Sequence, residues 1–209
     1  MIKIGVTCRL QENTSYFEVR EALDIRWSSL LIEMGCLPIV LPINSSFIDY
    51  FKEIDIQGIL LTGGNDLDLI TPNKLSRKRD KFEKDLIKYA LTVNIPILGV
   101  CRGMQIIAEY FGGTLGPVEG QVATRHKLKV KNSSRYFEEL QLIKDVNSFH
   151  NFGIVDVPKD FIVSATNEQG IIKAIEAEKK MIYGQMWHSE RDDPFDDNQL
   201  TLLKKVFDV

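Results

Sequence analysis

The 209 residues carry 44% hydrophobic and 26% charged side chains with a net charge of -3, enough chain for one sizeable buried sheet. That charge disfavours a general nucleic-acid binder, and no apolar run is long enough to span a bilayer. Strand-like residues begin at Ile2, so no secretory leader is expected; three scattered cysteines, Cys8, Cys36 and Cys101, form no zinc pattern and suit a reducing cytoplasm.

In chain order, Ile2–Thr7 reads as a strand, and Tyr16–Gly35 as a long amphipathic helical segment closed by Gly35. Leu37–Leu41 is strand-like, with Pro38 pointing to a strand start or a sheet edge. A short helix is predicted over Phe47–Ile54, then a buried strand running from Gly58 into the pair Gly63-Gly64, then a helix over Arg79–Val93. The apolar run Ile95–Val100 is a further buried strand, followed by helical spacing over Met104–Phe111. After Gly116 the pattern changes to β-branched stretches at 124–130, 161–165, 171–177 and 181–187, and Phe195–Val209 reads as a closing helix. The alternation predicts an α/β fold with a mostly parallel sheet, helices on both faces and a few antiparallel strands, in one domain over residues 1–209.

The chemistry gathers where the central strand meets its helix. Gly99-Val100-Cys101-Arg102-Gly103 is a G-x-C-x-G nucleophile elbow, whose glycines let a strand turn sharply into a helix. A cysteine there lies at a helix N-terminus, where the dipole favours thiolate, and the Arg102 N–H can face an oxyanion. A buried packing cysteine in a β-α unit is the plain alternative. A nucleophile needs a base and the base an orienting acid. Of His126, His150 and His188, only His188 has one close by, in Glu190. The order nucleophile, histidine, acid departs from the α/β-hydrolases, where the acid comes second.

Taken together, Thr62-Gly63-Gly64-Asn65-Asp66, the cysteine elbow through Gln105, Asn147-Ser148-Phe149-His150 and Trp187-His188-Ser189-Glu190 resemble the class I glutamine amidotransferase-like superfamily. Within it the chain is most similar to the γ-glutamyl hydrolase branch that includes γ-glutamyl-γ-aminobutyrate hydrolases. Cys101-Arg102-Gly103 and Arg79-Asp80 with Glu83 are typical of that branch. The resemblance implies a flavodoxin-like fold, a triad of Cys101, His188 and Glu190, and an oxyanion hole from Gly64, beside Gly63, with Arg102. It implies that Gln105, Asn147 and Ser148 hold the two ends of a γ-glutamyl group. No metal or other cofactor is expected, and the partner is a small-molecule γ-glutamyl substrate rather than nucleic acid or membrane.

Three departures stand out. Ser189 replaces the usual proline between histidine and acid, which predicts a looser turn. Asn151-Phe152 stands where relatives often carry His-Gln, which predicts a different leaving-group pocket. The chain also has little room for inserted recognition loops. The activity implied is hydrolysis of a γ-glutamyl amide through a Cys101 thioester. The leaving amine is either γ-aminobutyrate or a cytidine-linked phosphoramidate of surface-polysaccharide assembly. A glutaminase subunit feeding a separate synthetase is the alternative, and a catalytically idle γ-glutamyl sensor is disfavoured by the intact triad. The basic stretches Lys74–Lys84 and Arg125–Lys131 read first as solvated faces, and second as contacts for an anionic leaving group.

Overall fold

Strands buried on both faces come as continuous apolar runs, and two such runs, Gly58–Leu61 and Ile97–Val100, lie at the middle of the sheet. The computed structural model describes residues 1–209. The first half runs β1 (Ile2–Val6), β2 (Arg9–Glu12), β3 (Val19–Ala22), α1 (Ile25–Glu33), β4 (Cys36–Val40), α2 (Phe47–Ile54), β5 (Gly58–Leu61), α3 (Lys74–Val93), β6 (Ile97–Val100) and α4 (Arg102–Tyr110). The second half runs β7 (Thr114–Pro117), β8 (Val122–His126), β9 (Lys129–Val130), α5 (Phe137–Leu140), β10 (Val146–Phe149), β11 (Phe152–Asp156), β12 (Phe161–Thr166), β13 (Ile172–Ala177), β14 (Ile182–Gln185) and α6 (Asp197–Phe207).

Eight strands form one sheet in the order β4-β1-β5-β6-β14-β13-β12-β9. Neighbours from β4 to β14 are parallel, and those from β14 to β9 antiparallel. The period of two sends side chains to opposite cores. Leu60, Leu98 and Val100 pack with α1, α5 and α6, whereas Ile59, Leu61 and Ile97 pack with α3 and α4. Three adjacent parallel strands, β5, β6 and β14, therefore end on the same edge of the sheet, and the crevice outside those carboxyl ends is where such folds bind ligands. Pro38 lies on β4, the edge strand, as its missing N–H requires.

The helix predicted over Tyr16–Gly35 is shorter. Val19–Ala22 pairs antiparallel with β2, and α1 starts only after Asp24, whose side chain accepts from the Arg26 N–H. Apolar spacing over Tyr16–Gly35 also misleads at Ile25, which is 83% exposed. By contrast α3 begins five residues earlier than predicted, because Asn73 caps it through the Ser76 N–H. The stretch 124–130 is two strands, not one, and β8 joins β10 in a separate two-stranded sheet.

Candidate active site

Because β6 ends at Val100 and α4 begins at Arg102, Cys101 makes the turn alone, at φ 54° and ψ -106°. A non-glycine residue stays in that region only where its surroundings impose it. The flanking glycines supply the space. A Cβ at Gly103 would lie 2.0 Å from the Leu61 carbonyl oxygen, and one at Gly99 would lie 2.5 Å from the Gly103 carbonyl oxygen. The elbow is thus closed against β5 with no room for a side chain.

His188 follows β14 and is clamped at its backbone by Asn147. The Asn147 Oδ1 accepts the His188 N–H at 2.9 Å, and Asn147 Nδ2 donates to the His188 carbonyl at 2.8 Å. Glu190 Oε1 lies 2.6 Å from His188 Nδ1, which fixes the tautomer and leaves Nε2 for chemistry. Ser189 does not loosen this turn: its Oγ accepts from Gln185 Nε2 at 2.9 Å, and Arg191 N–H closes a 3₁₀ turn onto the His188 carbonyl. Gly63 fits between base and nucleophile, since a Cβ there would lie 2.9 Å from His188 Cε1 and 3.6 Å from Cys101 Cβ.

Burial alone would raise the Cys101 pKa, but the charge of His188, its hydrogen bond and the Arg102 N–H outweigh it and lower the thiol from its usual value. Burial likewise disfavours the imidazolium, yet Cys101 and then Glu190 raise His188 to about 9. Activity should therefore rise as Cys101 ionises, below its usual range, and fall near pH 9 as His188 loses its proton. A kcat/KM profile for glutamate release checks this, and an alkaline limb near 7 instead would overturn the assignment of the pair. The sign for stability agrees: a folded pKa above the unfolded 6.5 adds stability that is full below about 6.5 and gone above about 9.

The loop after β5 is held from below by a buried ion network. Arg79, fully buried, donates Nη1 to the Gly63 and Gly64 carbonyls, both at 3.1 Å, and Nη2 to the Thr62 carbonyl at 2.7 Å. In a trans peptide the N–H points opposite the preceding carbonyl, so fixing the Gly63 carbonyl turns the Gly64 N–H to the other side of the loop. Arg79 Nε pairs with Glu83 at 2.9 Å, Glu83 also accepts from Thr7 Oγ1 at 2.7 Å, and Arg102 bonds both Glu83 and Asp80. Arg102 thus ties the elbow, and Arg79 the loop 62–64, to the same carboxylate on α3. Asn65 completes the support by exchanging two 2.9 Å hydrogen bonds with the Leu10 backbone on β2.

Gly64, Asp66, Cys101, Gln105, His150 and Phe152 are among the residues that line an open cleft of about 300 Å³ beside the nucleophile. Gln105 is held there by its Nε2, which donates to the Phe152 carbonyl at 2.9 Å. The side chains of Asn147 and Ser148, expected at the ends of a glutamyl group, are engaged elsewhere. Asn147 holds His188, and Ser148, fully buried, bonds Lys173. His150, in the short connection between β10 and β11, is buried: its Nδ1 donates to the Phe152 carbonyl at 3.0 Å and its Nε2 faces Lys173 at 3.1 Å. Burial first, then Lys173, pushes His150 down to about 3, so it stays neutral.

Of the basic stretches, Lys78 and Lys81 border a different groove beside α2, and Arg77 pairs with Asp68. Arg125 reaches the neighbourhood of the site but pairs with Asp145 and Asp192. Sequence reasoning gave no role to Arg79 or Glu83. The i, i+4 spacing of the two on a helix was the available signal.

A family model described as peptidase C26 matches residues 3–190. The chain is 36% identical over 209 residues to the γ-glutamyl-CDP-amidate hydrolase of Campylobacter jejuni, covering 99% of this chain and 98% of that one. It is 32% identical over 205 residues to a glutamine amidotransferase-like protein of Lactococcus lactis, covering 85% and 82%. Among solved structures, a Thermoplasma acidophilum protein described as one subunit of a GMP synthase superposes with a TM-score of 0.74 at 22% identity, covering 100% of this chain and 93% of that one.

Proposed function

From the premise that this chain belongs to the peptidase C26 family, hydrolases of the class I glutamine amidotransferase group, we propose that it cleaves a γ-glutamyl amide in which the amine carries a nucleotide phosphoramidate. The observation that carries the reaction type is the Cys101 turn set beside the His188–Glu190 pair at the carboxyl ends of β5, β6 and β14. The substrate class rests on the near full-length similarity to the γ-glutamyl-CDP-amidate hydrolase. In this reading Cys101 attacks the γ-carbonyl, while the N–H groups of Gly64 and Arg102 receive the oxyanion. His188 gives its proton to the departing nitrogen, and the C–N bond breaks to leave a γ-glutamyl thioester. Water deprotonated by His188 then releases glutamate and restores the thiolate. Glu190 keeps the imidazole oriented throughout. One domain, residues 1–209, carries all of these groups.

The test is a comparison of kcat/KM for a γ-glutamyl phosphoramidate, γ-glutamyl-γ-aminobutyrate and glutamine, with the purified chain alone and with candidate synthetases. The phosphoramidate should be hydrolysed fastest, with no added protein. Activity on glutamine alone, appearing only when a synthetase is added, would replace this reading with that of a glutaminase subunit.

A further inference from the structure

Lys173 on β13 is fully buried, and no carboxylate lies in ion-pair range of it. Its Nζ meets three uncharged partners instead: Gln121 Oε1 at 2.7 Å, Ser148 Oγ, and His150 Nε2 at 3.1 Å. A cation buried without a counter-ion costs free energy, which marks Lys173 as a candidate for more than packing. Burial pushes Lys173 down to about 8, against an opposing pull from Cys101, so at pH 7 most of it is still an ammonium.

An ammonium only donates, so the His150 nitrogen that faces it is the one with the lone pair. The proton of the neutral imidazole is thereby placed on Nδ1, which donates to the Phe152 carbonyl at 3.0 Å. Ser148 agrees with this. Its oxygen accepts from Lys173, which leaves its own hydrogen for His150 Nε2, 3.3 Å away. The Phe152 carbonyl needs a side-chain donor, because its partner in the register of β7 and β11 is Pro117, which has no N–H. Two side chains serve it, His150 and Gln105, whose Nε2 lies 2.9 Å away. Since a carbonyl only accepts, the Gln105 atom turned to it is the amide nitrogen, and Oε1 is left without a protein partner. Gln105 borders the cleft beside Cys101, whereas Lys173 does not.

We infer that Lys173 is a positioning residue for the acyl side of the substrate. Through the His150 tautomer it fixes the Phe152 carbonyl, and through that carbonyl the Gln105 amide, whose oxygen is turned to the cleft as an acceptor for a cationic donor. The inference rests on the hydrolase reading above, in which the glutamyl group and its α-ammonium occupy that cleft. It adds the residue, outside the cleft, that sets the preference for acyl groups bearing an ammonium.

The experiment compares γ-glutamyl anilide with glutaryl anilide, which lacks only the α-ammonium, in wild type, Lys173→Met, Gln105→Leu and their double variant. Wild type should prefer the γ-glutamyl compound by about ten-fold or more in kcat/KM. Each single variant should lose most of that preference through KM, and the double variant no more than either, because both act through one contact. His150→Asn can still turn an amide N–H to the Phe152 carbonyl and should keep part of the preference, also when combined with Lys173→Met. Nitrogen NMR shifts read the relay without turnover. His150 should be protonated at Nδ1 alone in wild type and exchange between both nitrogens in Lys173→Met. Additive losses, equal losses on both anilides, no preference in wild type, or a wild-type His150 protonated at Nε2 would overturn the relay and leave the hydrolase reading standing. Should Lys173→Met not fold, His150→Leu removes the same donor. Loss of the preference there, with Nδ1 protonated in wild type, supports the relay, and a retained preference overturns it. If wild type cleaves neither anilide, it is the hydrolase reading that fails, and calorimetric titration of glutamate and glutarate into wild type and Lys173→Met decides the relay. Tighter binding of glutamate in wild type alone supports it, and no difference between the ligands, or the same difference in both proteins, overturns it.

Discussion

Replacing Cys101 with serine is expected to leave the fold and ligand binding in place and to cut turnover by roughly 10³-fold or more. The change is one atom at a residue that is 8% exposed and whose turn is imposed by Gly99, Gly103 and Leu61 rather than by sulfur. What is lost is ionisation. The thiol is pulled down by His188 against the effect of burial, and a hydroxyl, far weaker as an acid, would not ionise in the same place. Steady-state glutamate release and titration with the product amine measure the two halves of the expectation. Near-normal turnover would remove Cys101 from the reaction. Alkylation offers an independent reading of the same asymmetry. Iodoacetamide should modify Cys101 well before Cys8, pushed up to about 11 by burial and then Glu21, or Cys36, raised by burial. Preferential labelling of either would count against a thiolate at the elbow.

How far the sequence alone reaches depends on where the physical signal lies. The elbow was legible because its constraint is steric and local: two glycines two residues either side of a cysteine report a turn that tolerates no Cβ. The His188–Glu190 pair was legible for a similar reason, the two being near neighbours whichever way the backbone turns. The parallel core followed from the continuous apolar runs of β5 and β6. Local pattern failed where contacts came from far along the chain. Asn147 reads as a substrate contact until the fold brings it against the backbone of His188, 41 residues away. Ser148 reads as a substrate contact in the same way, and only the fold shows it, with His150, buried against Lys173. Hairpin residues 19–22 passed for helix because their few apolar side chains fit a helical spacing as well as an extended one.

The network on α3 leads to the second large effect. Glu83→Gln keeps the size and shape of the side chain but removes the carboxylate that two buried guanidinium groups share. Burial would raise the Glu83 pKa, and Arg102 with Arg79 overcome it and hold the acid below its usual value, so the charge is present in the folded protein. Arg79 is itself pushed down to about 10, by burial first and Arg102 second, which shows how closely balanced the cluster is. Removing one partner of a buried pair leaves an uncompensated charge and costs about 3–5 kcal/mol. For a chain of this length that lowers Tm by the order of 10 °C. Lys81→Gln on the same helix, an exposed pair with Asp85, should change little and serves as the control. Activity should suffer beyond the loss of folded protein, because Arg79 would no longer be held under the carbonyls of Thr62, Gly63 and Gly64. An oxyanion donor acts in the transition state, so kcat should drop while KM moves much less, measured well below the lowered Tm. A variant that melts like wild type, or one that is destabilised but keeps its kcat, would separate the ion network from the placement of the Gly64 N–H.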